Sequence, residues 1–74
     1  MSKLPLLKAR QLIKILKKLD FSQVRQKGSH CFFSHPDGRA TVIPIHPSKL
    51  IGRGLLRSIL NEINISPEEF RKII

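Results

Sequence analysis

Hydrophobic positions along the chain switch from helical spacing to strand-like runs and back again. Leu12, Ile13, Leu16 and Leu19 recur at helical intervals, which predicts an amphipathic helix over Lys8 to Leu19. Phe21 to Lys27 reads as a first strand that Gly28 ends or bulges, and His30 to His35 as a second. Pro36-Asp37-Gly38 is a turn signal with a glycine able to take positive φ. Arg39 to Ile45 holds the β-prone run Ala40-Thr41-Val42-Ile43, and Pro44 confines this third strand to an edge or stands at its end. A basic stretch from His46 to Gly54 reads as a loop. Leu55, Leu56, Ile59, Leu60 and Ile63 then share a second helical face, and Asn64 suits a left-handed helix end. Ser66-Pro67-Glu68-Glu69 supplies the cap serine, first-turn proline and capping-box acid of a last short helix, which Phe70, Ile73 and Ile74 are expected to dock. The order α-β-β-β-α plus a short helix predicts an α+β fold, with a three-stranded antiparallel sheet and helices on one face. No repeat or linker interrupts it, so residues 1–74 are expected to form one domain.

A chain of 74 residues is close to the size at which a single core only just suffices. With four Phe, no Trp and no Tyr, that core must be mainly aliphatic, and Cys31, the only cysteine, excludes an internal disulfide. No apolar run approaches the roughly 20 residues of a membrane span. Lys8 and Arg10 also break up the apolar start Leu4 to Leu7, so no signal-peptide core is read and the expected location is the cytoplasm.

Charge changes the picture more. The net charge is +9, and residues 1–61 hold 12 Lys and Arg against only Asp20 and Asp37. That imbalance is the footprint of a nucleic-acid binder. Arg10, Lys14, Lys17 and Lys18 fall on the polar face of the first helix with no acid among them. They form either a solvated face or a rail for phosphates, and like charges at this spacing repel, which weighs against the first.

Three histidines are candidates for proton transfer. His35 flanks the turn and reads as structural. His30 directly follows Gly28-Ser29, with Arg25 and Lys27 just before. His46 closes the third strand ahead of the basic loop that carries Lys49 and Arg53, and fits a second acid or base, a phosphate donor or a polar strand end. If the second strand pairs with both others, His30 and His46 fall at one edge of the sheet. Two histidines without cysteines or nearby acids fall short of a zinc ligand set, so neither metal nor cofactor is expected.

Lys27-Gly28-Ser29-His30, then Phe32 or Phe33, Asp37-Gly38-Arg39, Val42-Ile43-Pro44-Ile45-His46 and Gly54-Leu55-Leu56-Arg57-Ser58-Ile59-Leu60 together resemble the HicA family, small toxins of bacterial and archaeal toxin–antitoxin pairs. The similarity runs in order from the first helix to Phe70. It implies a double-stranded-RNA-binding-domain-like fold, ribonuclease activity on mRNA, and a HicB-type antitoxin that blocks it, with the catalytic histidine at His30. Departures fall at cap and turn positions. Asp20 and Asn64 stand where the family favours glycine, and Leu55 stands where it often has threonine.

The resulting expectation is a metal-free ribonuclease that uses the RNA 2′-OH as nucleophile. His30 would be general base or acid, Lys27 with Arg25 or a basic loop group would stabilise the transition-state charge, and His46, water or Lys49 would supply the second proton transfer. The competing expectation is a non-catalytic double-stranded-RNA-binding or ribosome-associated module of the same fold, which needs no imidazole at position 30.

Overall fold

The computed structural model describes residues 4–74; residues 1–3, which the single-domain reading takes in, lie outside the described residues. Strand β1 (Leu7–Lys8) runs straight into helix α1 (Ala9–Lys18), followed by β2 (Ser22–Lys27), β3 (His30–Ser34) and β4 (Ala40–Pro44). A two-residue strand β5 (Leu50–Ile51) then leads into α2 (Arg53–Glu62) and α3 (Pro67–Ile73). The main sheet is antiparallel in the order β2-β3-β4. This is the predicted α+β layout of α-β-β-β-α with an extra C-terminal helix.

One feature corrects the reading of the sequence. Residues 46–54 are not wholly a loop, because β5 pairs with β1 through Leu7 opposite Ile51 and Lys8 opposite Leu50. Two-residue strands leave no periodicity to read, and their pairing joins distant parts of the chain. Arg53 reinforces that join by donating from Nε to the Leu4 carbonyl at 2.6 Å.

The main sheet has one covered face. Cys31 and Phe33 of β3 and Thr41 and Ile43 of β4 are buried, and α1 and α2 both pack on β4. Leu12, Leu16, Leu56, Ile59, Leu60 and Phe70 complete the core from the helices. Thr41, the buried polar residue here, donates its hydroxyl to Glu62 at 2.7 Å and so keeps a partner. Every residue of β2 is exposed, so this strand overhangs the helices and is held by its pairing to β3. Leu55, Ile73 and Ile74 are exposed, contrary to their expected core roles; Phe70 alone anchors α3. Ile73 is the last residue of α3 and Ile74 follows it.

Both long helices end in the same way. After α1, Asp20 N–H donates to Lys17 and Phe21 N–H to Leu16; after α2, Asn64 donates to Asn61 and Ile65 to Leu60. Asp20 and Asn64 take the left-handed conformation (φ 72° and 58°) that this double bond requires. Phe21 and Ile65 follow and pack inward. The departures from glycine noted in the sequence therefore sit at strained caps. Asp and Asn tolerate that region better than other residues with a side chain.

The β3–β4 turn is organised by charge. Arg39 donates from its amide to Asp37 Oδ1 at 3.1 Å and from Nε to Oδ2 at 2.8 Å. Its guanidinium also donates to the Ile63 carbonyl at 2.6 Å and lies over the Phe21 ring. His35 meets Phe21 edge-on and offers Nδ1 to the Asp37 amide at 3.0 Å, with Asp37 Oδ1 2.9 Å away. A neutral imidazole accepts the amide proton; only the protonated ring pairs with the carboxylate. His35 is thus structural, as its place beside the turn suggests.

The Asp37 carboxyl is held below its ordinary pKa of 3.8, first by the Arg39 amide and then by the Arg39 guanidinium. A lowered folded-state value contributes stability above the unfolded pKa, lost as pH falls through the folded one. The stability that the parent holds over Asp37→Asn should shrink as pH falls below the ordinary value of 3.8. Thermal melts across that range check it, and a difference that grows on acidification would contradict it.

Candidate active site

The chain between β2 and β3 reverses in two residues, Gly28 and Ser29. Gly28 has φ +59°, the left-handed value a tight hairpin asks of its first central residue. Nothing lies within 4 Å of where a Cβ would stand, so the demand for glycine is conformational and not steric. Gln26 Nε2 donates to the Gly28 carbonyl at 3.1 Å and braces the turn.

This turn places Lys27 directly opposite His30. Cross-strand partners project to the same face with Cβ atoms about 5 Å apart, so the ammonium and the imidazole are neighbours. Both are exposed on the face opposite the helices. Arg25 faces Phe32 in the same register, one row further along the same face, and a bulge at Val24 shifts the pairing only beyond it. Among the described residues no hydrogen bond or ion pair engages the His30 imidazole, which leaves both ring nitrogens available to a ligand.

His30 is also opposite Pro44, and Ile45 N–H donates to the Ser29 carbonyl at 2.6 Å. That bond carries the end of β4 past the turn, so His46 emerges at the His30 edge of the sheet, as the strand order suggested. There His46 joins Lys8, Arg10 and Pro47 around a cleft of about 70 Å³. His46 therefore stands in a cationic setting, which suits a phosphate grip as well as a proton donor.

The remaining basic candidates divide. Lys49 is exposed in the turn beside β5, where its N–H donates to the His46 carbonyl at 2.9 Å. Arg53, exposed at the start of α2, has its Nε–H engaged by Leu4 and so helps to hold the N-terminal segment. Lys14, Lys17 and Lys18 are exposed on α1. At 1.5 Å per residue they lie about 6 to 12 Å along the helix axis from Arg10, so they flank the histidine edge instead of forming it.

Two residues escaped the sequence reading. Lys8 lines the His46 cleft beside Ala9 and Arg10, from a strand whose pairing with β5 no local pattern reports. Phe32 enters the sequence motif only as an aromatic, whereas its ring lies under the Arg25 guanidinium, 4.5 Å from centroid to carbon. Among the described residues no three His, Cys, Asp or Glu side chains gather in a way that could hold a metal ion.

The model for the HicA toxin of bacterial toxin–antitoxin systems matches residues 9–65, most of the chain. The chain belongs to the HicA toxin family. The match takes in α1, the whole β2-β3-β4 sheet and α2, and both Gly28-Ser29-His30 and His46 fall inside it. No curated protein matches the chain. Membership makes the protein the toxin of a toxin–antitoxin pair, with an antitoxin as its partner. No helix among the described residues is long and apolar enough to cross a membrane.

Proposed function

We propose that this HicA-family toxin is an endoribonuclease that cleaves mRNA without a metal ion, and that a HicB-like antitoxin silences it by covering the cleaving face. The observation that carries the reading is the juxtaposition of Lys27 and an unengaged His30 imidazole on an exposed sheet face, with His46 at the same edge.

RNA brings its own nucleophile. His30 takes the proton of a 2′-OH while that oxygen attacks the adjacent phosphorus. The P–O5′ bond breaks, and the leaving 5′ oxygen receives a proton from the second group, in this reading His46. Lys27 neutralises the charge that builds on the phosphoryl oxygens, with Arg25 in the next row. Lys14, Lys17, Lys18, Lys49 and Arg53 hold flanking phosphates. The products are a 2′,3′-cyclic phosphate and a 5′-OH. Cleavage is expected to persist in EDTA and to leave those end groups on a labelled mRNA. Arrest by EDTA with recovery on added Mg²⁺, or 5′-phosphate ends, would overturn the mechanism. RNA bound but left intact would favour the non-catalytic double-stranded-RNA-binding module, a reading supported by the exposed cations of α1.

The antitoxin's toxin-facing surface should be acidic, since a partner of opposite sign associates faster and a charge of +9 offers a strong field. Co-expression should give a complex in which His30 is shielded from diethylpyrocarbonate. Tight inhibition with His30 still reactive would argue for silencing at a distance.

A further inference from the structure

Among the described residues two arginines lie over phenylalanine rings, and they are in opposite situations. Arg39 over Phe21 has its other contacts within the fold, at Asp37 and Ile63. Arg25 over Phe32 is exposed, and among the described residues no carbonyl or carboxylate engages its guanidinium. The guanidinium carbon sits over the ring, and the exposed group keeps its five N–H donors in a fixed fork.

The position of the pair matters as much as its exposure. Arg25 and Phe32 are cross-strand partners two residues along from Lys27 and His30, on the same face. Successive rows on one face are about 6.8 Å apart. Phe32 is half-buried with Val42 on its other side, so the ring is a fixed support under an exposed arginine.

We infer that the Arg25–Phe32 pair is a stacking platform for one unpaired base of single-stranded RNA, in the nucleotide next to the one whose phosphate meets His30. The inference rests on the reading of this face as the RNA-cleaving face and adds the form of the substrate. Stacking on an arginine plane or an aromatic ring requires a base splayed from its neighbours, and single strands offer such bases. An A-form duplex keeps its bases stacked on one another and presents phosphates and 2′-hydroxyls instead. The α1 cations would serve a duplex; a flat Arg–Phe pair beside the proposed cleavage residue serves a single strand.

The test uses a 2′-O-methyl single strand, which lacks the nucleophilic proton and stays intact, carrying one 2-aminopurine whose position is varied. The full chain should quench the probe at one position and bind the strand. Phe32→Leu should abolish the quench and weaken single-strand binding about tenfold, while affinity for a duplex of the same sequence changes less than about twofold. Phe32→Tyr should restore both. Arg25→Lys keeps the charge and hence the salt dependence, and should still lower the quench; as an exposed substitution it decides the matter if Phe32→Leu fails to fold. A folded Phe32→Leu that quenches and binds like the parent would overturn the platform. So would equal losses on single strand and duplex, or a defect confined to the antitoxin complex. The two readings separate cleanly. A parent that quenches without cleaving active RNA keeps the platform and loses the nuclease, and one that cleaves with no quench at any position does the reverse.

Discussion

His30→Ala is expected to lower RNA cleavage by about a hundredfold to ten thousandfold, the range that one positioned acid or base contributes. The fold should be left nearly untouched. His30 is exposed at the first position of β3, contributes nothing to the core, and meets Lys27 and Pro44 only as cross-strand neighbours. Surface changes of this kind usually move stability by less than about 0.5 kcal/mol. RNA affinity should hold as well, because it rests on the cations. Labelled mRNA incubated with purified parent and variant, with circular dichroism on both, reads all three quantities, and equal cleavage by the two would remove His30 from the mechanism. His46→Ala completes the assignment. As the second proton-transfer group it lowers kcat; as a phosphate grip beside Lys8 and Arg10 it raises KM and leaves kcat unchanged.

How much of this was legible in the sequence depends on the range of each interaction. The strands fell within a residue or so of their expected ends because Pro36-Asp37-Gly38 and Gly28-Ser29 punctuate the chain locally. The last helix was equally legible. Ser66 Oγ accepts from Glu69 N–H and Glu69 accepts from Ser66 N–H, the reciprocal pair that Ser-x-x-Glu encodes. Asn64 was readable as a cap for the same reason.

What stayed hidden acts across distance or depends on facing. The β1–β5 pair joins residues more than forty positions apart with only two residues on each side. It helps to hold Lys8 near the end of β4, where Lys8 and His46 share a cleft. Leu55 has the composition of a core residue but projects outward from the first turn of α2. The candidate site divides along the same line. Lys27 and His30 were visible as neighbours because a two-residue turn forces them together. The same register sets Arg25 opposite Phe32, but that the guanidinium lies over the ring depends on side-chain packing, which no pattern in Ser22 to Lys27 announces.

Arg39 makes another such link, and its removal should be the most damaging single change outside the apolar core. The guanidinium bonds to the Ile63 carbonyl, 24 positions away, where α2 ends. It also ties Asp37 into the turn and covers the Phe21 ring. A hydrogen bond from a charged donor is worth about 1.5–3 kcal/mol, and truncation leaves a part-buried carbonyl without its partner. Adding the lost stack and the loosened turn, Arg39→Ala should cost about 2–4 kcal/mol. A domain of this length holds only about 4–11 kcal/mol in total. At about 4–8 °C per kcal/mol, the melting temperature should fall by about 10–25 °C. Arg39→Lys should recover only a small part, because an ammonium cannot reach Asp37 and Ile63 together or lie flat on the ring. Thermal unfolding of the parent and both variants reads this directly. A loss under about 3 °C for the alanine, or full recovery by lysine, would mean that the turn and the end of α2 hold together without the guanidinium fork.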